Sequence, residues 1–287
     1  MSRPFSPRHS FFVGVDSDGC AFDTMEVKHK ECFIPAIIEY FGLAPVSKVA
    51  RECAEFVNLY SQQRGINRFP GLIAALDLLA RRPESIGRGF VPPELPAVRK
   101  WLETETKLGN PALAAAVEAS KDGELGNLLE WSKAVNRAVE RVVKAVPPFP
   151  LVRESLAALE GKSDCFVCSA TPGEALEREW EEHGLSGLVA RICGQEVGTK
   201  KEILRIAKDY PAGHCLMLGD APGDLQAARA NGVLFFPINP GAEDASWKRF
   251  YEEGLDRFFR GSYAGEYEAS LVAEFDARLP ASPPWKT

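Results

Sequence analysis

Four short apolar runs punctuate the chain: "FFVGV" at 11–15, "CFVC" at 165–168, "CLML" at 215–218 and "VLFFPI" at 233–238. None alternates apolar with polar residues; each is continuous, as strands buried on both faces of a sheet are. Helical patterns lie between them, "LVRESLAALE" before the second, "KKEILRIAKDY" before the third and "DLQAARANG" before the fourth. That alternation predicts βαβ units and a parallel sheet, to which "VARICG" at 189–194 adds a shorter strand.

Residues 26–146 carry no strand pattern. They read as helices throughout, in "LIAALDLLARRP", "LPAVRKWLETETKLG", "NPALAAAVEAS" and "NLLEWSKAVNRAVERVVKAV", with Asn110 as an N-cap and Pro111 as a first helical residue. The exit "VPPFP" at 146–150 is a stiff, proline-rich linker that cannot continue a helix. An α/β core, 1–25 and 147–287, is therefore interrupted by a helical second domain, 26–146. Near the end, apolar and aromatic residues at 247, 250, 251, 255, 258 and 259 predict one helix face packed on the core, and "PASPPWKT" reads as a loose tail.

Composition narrows the class. At 287 residues and 45% hydrophobic, the chain can bury substantial cores. Forty Asp+Glu against 34 Lys+Arg give a net charge of −6 with no basic block, which argues against nucleic-acid and anionic-membrane partners. The five-residue apolar run at 11–15 is too short for a signal sequence or a membrane span, so a cytoplasmic location is expected. Seven cysteines at 20, 32, 53, 165, 168, 193 and 215 suit reduced thiols, and the Cys165–Cys168 pair lies inside an apolar strand run, where both belong to the core.

Ligands of open parallel sheets bind outside the carboxyl ends of the strands, and here each of the first three runs ends in polar residues. Asp16, Ser17 and Asp18 follow the first; Ser169, Ala170 and Thr171 the second; "GDAPGD", with Asp220 and Asp224, the third. Lys200 and Lys201 open the helical pattern that leads to the third run. Carboxylates gathered on one rim repel one another unless a hard divalent cation sits among them, and oxygen ligands of this kind suit Mg²⁺. An EF-hand loop is excluded, because its fifth, sixth and twelfth positions would be Cys20, Ala21 and Val27. "GTKK" lacks the spacing of a P-loop, and there is no GxGxxG.

"VDSDG", "FVCS", "TKKE" and "LGDAPGD", in that order, resemble the four motifs of the haloacid dehalogenase-like hydrolases. The resemblance covers roughly 10–25 and 147–240. It implies an α/β fold, a Rossmann-like parallel-sheet core, with the insert as an all-helical cap of the type that follows the first motif and moves to exclude water. By resemblance, Asp16 is a nucleophile that forms a phosphoaspartyl enzyme, and Asp18 is the general acid and base. Ser169 and Lys200 hold phosphoryl oxygens, with Lys201 the alternative lysine. Mg²⁺ is held by Asp16, the Asp18 backbone carbonyl, Asp220 and Asp224. The function implied is a Mg²⁺-dependent phosphatase acting on a small phosphorylated metabolite. A phosphomutase of the same family is the alternative, although Lys28 stands where such relatives often carry a histidine, with His29 one place later. A non-catalytic scaffold on the same fold is a third reading. Dehalogenases and phosphonatases do not use the second acid, Asp18. In the insert, Arg64 and Arg68 in "YSQQRGINRFP" are candidates for substrate recognition, since a guanidinium can pair bidentately with a carboxylate or phosphate.

Overall fold

The structure, a computed structural model, describes residues 5–285. Its sheet has five parallel strands: β1 (Phe11–Val15), β2 (Ser163–Cys168), β3 (Arg191–Cys193), β4 (Cys215–Gly219) and β5 (Leu234–Pro237), in the order β3-β2-β1-β4-β5. This is the parallel sheet of βαβ units expected from the apolar runs, and a Rossmann-like α/β core. β1 is central, with β2 on one side and β4 on the other, so the chain reverses its winding at β1 and leaves a crevice at its carboxyl end.

Register divides the strand side chains between two cores. Val13 pairs with Cys165 and Leu216, and these residues join Val15, Val167, Leu218 and Phe236 on one face, under Trp180, Trp247, Phe250 and Phe258. Phe12, Phe166, Cys168, Met217 and Phe235 take the other face with Leu204, Leu225 and Phe275. The period-2 pleat thus explains why the runs are apolar without interruption, and it sends Cys165 and Cys168 to opposite faces. All seven cysteines are buried and unbridged. Gly14 is dictated by close packing, since a Cβ there would lie 2.8 Å from Met217 Sδ.

The chain divides into two compact units, Met1–Met25 with Ala145–Leu279, and Glu26–Lys144 with Pro280–Thr287. The second unit is helical, with its own core of Leu72, Leu76, Trp101, Leu128, Trp131 and Val135. Its helix Asn110–Ser120 begins one residue earlier than the sequence pattern suggests: Gly109 is the N-cap, and the Asn110 amide oxygen accepts instead from Ser132 Oγ at 2.6 Å. The tail also differs from expectation. Residues 280–285 side with the helical unit and not with the α/β core, because the Trp285 ring packs edge-on against Phe56 and lies 4.5 Å below the Arg82 guanidinium. In the α/β unit, the aromatic stretch near residue 250 does bury Trp247, Phe250, Leu255 and Phe258, while Tyr251 points to solvent. A further helix, Glu266–Arg278, covers the second face of the sheet with Val272 and Phe275. Among the described residues, no helix is long and apolar enough to cross a membrane.

Candidate active site

Strand β1 delivers Asp16 to the crevice. The Asp16 backbone N–H donates to the Leu218 carbonyl at 3.0 Å, which carries the β1–β4 ladder one residue past the strand and ties the carboxylate to it. The chain then turns sharply. The Ser17 carbonyl accepts from the N–H groups of Cys20, Ala21 and Phe22, and Gly19 takes the left-handed conformation (φ 76°) that the turn requires. Trp247 clamps the far side by donating its indole N–H to the Cys20 carbonyl at 2.7 Å. The Ser17 side chain is buried beneath the turn, where its Oγ accepts from Trp180 Nε1 at 3.0 Å and donates to Glu179 at 3.2 Å.

The other groups arrive from β4 and from the segment before it. Asp220 follows β4 directly. Asp224, in the first turn of the helix Pro222–Arg229, folds back so that its Oδ2 accepts from the N–H groups of Asp220 (3.2 Å) and Ala221 (3.1 Å). This return is possible only because residue 219 is glycine: a Cβ there would sit 2.5 Å from the Asp224 side chain. Lys200 opens a short helix capped by Thr199, whose hydroxyl and Glu202 form a capping box. Its ammonium donates to Asp16 Oδ2 at 2.6 Å and also to Asp224 Oδ1. Lys201 is exposed, so Lys200 is the lysine that reaches the carboxylates.

Asp16, Asp220 and Asp224 each place a carboxylate oxygen within 4.8 Å of the others, and all three are buried. With Lys200 as the counter-charge, the ionised set carries a formal −2. Burial pushes the Asp16 carboxyl well above its ordinary range, the Lys200 ammonium pulls it back, and Asp224 and Asp220 push it up again. For Lys200, burial works against the ammonium form, but Asp16 and Asp224 outweigh it and raise the group above its ordinary range. Such a cluster of hard oxygen donors is one that a divalent cation would neutralise, and the residues present fit Mg²⁺. Burial and the same carboxylates push the Cys20 thiol up, which leaves it protonated.

Asp18 stands apart from that cluster. Its Oδ1 accepts from the Thr24 hydroxyl and its Oδ2 from Thr171 Oγ1 at 2.7 Å, so its side chain is held by two hydroxyls. Ser169, at the end of β2, is buried; its N–H donates to the Cys193 carbonyl and its Oγ accepts the Thr171 N–H at 3.2 Å. The pairing of Asp18 with a hydroxyl 153 positions away is not written in any spacing. Ser17, Trp180 and Gly219 likewise acquire their roles only through packing.

The two arginines of the insert serve different ends. Arg64 is buried and donates to the Leu59 carbonyl at 2.8 Å, where the helix Ser47–Leu59 leaves a carbonyl without an intrahelical partner. That contact anchors the helix end. Arg68 donates to Ser132 and Asn136 and lies over the Phe33 ring. His29 stacks on the same Phe33, on a π-helical stretch, Lys28–Phe33.

No family model matches the chain, and no curated protein matches it. Among solved structures it is similar to a hydrolase from Pseudomonas syringae, at 14% identity over 89% of this chain and 100% of that one, with a TM-score of 0.47. It is also similar to a HAD-superfamily hydrolase, subfamily IA, from Geobacter sulfurreducens (16% identity, 81% of this chain and 89% of that one, TM-score 0.41). A haloacid dehalogenase-like family protein from Streptococcus pneumoniae matches at 11% identity over 83% of this chain and 90% of that one, with a TM-score of 0.44.

Proposed function

We propose that this protein is a Mg²⁺-dependent phosphatase of the haloacid dehalogenase-like type, which hydrolyses a small phosphorylated metabolite through a phosphoaspartyl intermediate on Asp16. The observation that carries this reading is the convergence of Asp16, Asp220, Asp224 and Lys200 at the carboxyl ends of β1 and β4.

In the first half-reaction an Asp16 carboxylate oxygen attacks phosphorus, and the bond from phosphorus to the ester oxygen breaks. Asp18 supplies the proton that the departing oxygen needs. A water molecule then attacks the phosphoaspartate, Asp18 takes its proton back, and the aspartyl–phosphorus bond breaks to release inorganic phosphate. The Ser17 N–H, at 2.8 Å from Asp16 Oδ1, fixes the carboxylate's rotation. Lys200 and Ser169 bind the phosphoryl oxygens, and Lys200 offsets the charge carried through transfer. Mg²⁺, held by Asp16, Asp220, Asp224 and the Asp18 backbone carbonyl, would neutralise charge between carboxylates and phosphoryl group.

The test is turnover of generic phosphomonoesters and a phosphorylated-metabolite panel, with and without Mg²⁺. Asp16→Asn should abolish phosphate release; full activity in that variant would end the proposal. Release of inorganic phosphate, as opposed to an isomeric phosphate ester, separates a phosphatase from a mutase.

A further inference from the structure

The amino end of β4 borders a second cleft, which the aspartate cluster does not use. It is a surface cavity of about 460 Å³ between the segment 205–213, the start of β4 at Cys215 and the turn at Asn231. That volume lies within the range of small-molecule sites. Asp220 follows the other end of β4, five residues on from Cys215, so strand rise alone separates the two places by roughly 16 Å.

One wall is a 3₁₀ helix, Leu204–Asp209, six residues long where such helices seldom exceed three or four. Side chains three apart on a 3₁₀ helix eclipse one another, so Arg205 and Lys208 rise from one face, about 6 Å apart along it. Both line the cavity, and among the described residues neither side chain makes an ion pair or a hydrogen bond. None of the residues lining it is acidic. The remaining wall is fixed and neutral. The Tyr210 hydroxyl donates to Asp164 at 2.8 Å, the Cys215 thiol to the Ala207 carbonyl at 3.8 Å, and Asn231 Nδ2 to the Lys201 and Ala227 carbonyls at 3.0 and 2.9 Å. Burial pushes the Cys215 thiol up to about 12, and burial with Asp164 pushes the Tyr210 phenol up, so neither adds negative charge near neutral pH. In a chain of net charge −6, the charged groups of this cavity are thus two unpaired cations on one face. Cations so spaced match a small dianion, either a phosphoryl group or paired carboxylates.

We propose that this cavity is a binding site for a small dianionic metabolite, whose phosphoryl group or paired carboxylates lie between Arg205 and Lys208 and whose body covers Tyr210 and Cys215. The site is separate from the aspartate cluster and does not depend on the reaction proposed there.

Nuclear magnetic resonance of ¹⁵N-labelled protein tests it, with inorganic phosphate and, separately, malonate titrated in EDTA at constant ionic strength. Without metal the aspartate cluster repels both anions. The backbone amide signals of residues 205–213, 231 and 232 should shift and saturate, with a dissociation constant in the roughly millimolar range or tighter. Arg205→Gln and Lys208→Gln should each weaken binding at least about tenfold, since each removes a charge-assisted hydrogen bond. Both side chains are exposed, so the two variants should melt within about 2 °C of the parent. Lys248→Gln, which removes an exposed lysine outside the cavity lining, should bind as the parent does. Response to phosphate alone marks a phosphoryl site, to malonate alone a dicarboxylate site, and to both a site that reads charge only. Signals unmoved by either anion, shifts that grow without saturating, unchanged affinity in both cavity variants, or equal weakening by Lys248→Gln would overturn the proposal.

Discussion

Lys200→Met offers the sharpest physical test of the aspartate cluster, because it needs no substrate. The methionine keeps most of the aliphatic stem but removes the ammonium that donates to Asp16 at 2.6 Å and to Asp224. Both acceptors are buried, at 7% and 1% side-chain exposure, so water does little to screen what is left behind. Breaking one side of a buried ion pair costs about 3–5 kcal/mol. For a unit of this size each kcal/mol lowers the melting temperature by roughly 2–4 °C, so a fall of roughly 6–20 °C is expected near neutral pH. Two further readings sharpen it. Mg²⁺ should raise the melting temperature of Lys200→Met by more than that of the parent, since it takes over a larger unpaid repulsion. Lowering the pH should also narrow the gap. A carboxyl whose folded pKa lies above its unfolded value binds protons more readily in the native state, so its destabilising effect fades as pH falls through the folded pKa. The Asp16 carboxyl is displaced in that direction already, with Lys200 present. Thermal denaturation followed by circular dichroism, in EDTA and in Mg²⁺ at several pH values, checks all three. If Lys200→Met melts within about 2 °C of the parent in EDTA, the electrostatic account of the cluster is wrong.

Thr171→Val deletes a hydroxyl that donates to a carboxylate at 2.7 Å, an interaction of about 1.5–3 kcal/mol, so kcat should fall about 10- to 100-fold with little change in KM, and Thr171→Ser should restore most of it. Gly219→Ala inserts a Cβ 2.5 Å from Asp224; overpacking should cost about 1–3 kcal/mol by denaturant titration and weaken Mg²⁺ binding measured by calorimetry. Trp285→Ala removes the ring between Phe56 and Arg82 and should destabilise the helical unit by about 1–3 kcal/mol in thermal melts, whereas a loose tail would leave the melt unchanged.

Much of the frame is legible before any coordinates are seen, because its signals are local. "FFVGV" matches β1 residue for residue, and the other runs fall within a residue or two of β2, β4 and β5, since a strand covered on both faces must be apolar throughout. The helix Glu266–Arg278 escapes such reading. Its buried Leu271, Val272 and Phe275 form too sparse a stripe among charged residues to announce a helix face. The tail escapes it too, because "PASPPWKT" has the composition of a loop, which gives no sign that Trp285 packs against Phe56.

The same division runs through the candidate site. Residue order alone places Asp16, Asp18, Ser169, Asp220 and Asp224 after apolar runs and Lys200 at the start of the helical pattern before the third run, and parallel-sheet topology then requires the residues that follow the runs to share one rim. Which of two adjacent lysines turns inward depends on helix phase. That Arg68 donates to Ser132 and Asn136 depends on neighbours more than sixty positions away in the chain. That Thr171 holds Asp18, and that Gly219 leaves room for Asp224, are matters of a few tenths of an ångström. Linear pattern determines where polar groups emerge from a sheet, because period and hydrophobicity act over a few residues. Only the folded packing decides which atoms meet, because hydrogen bonds and steric contacts form between residues that the sequence holds up to 153 positions apart.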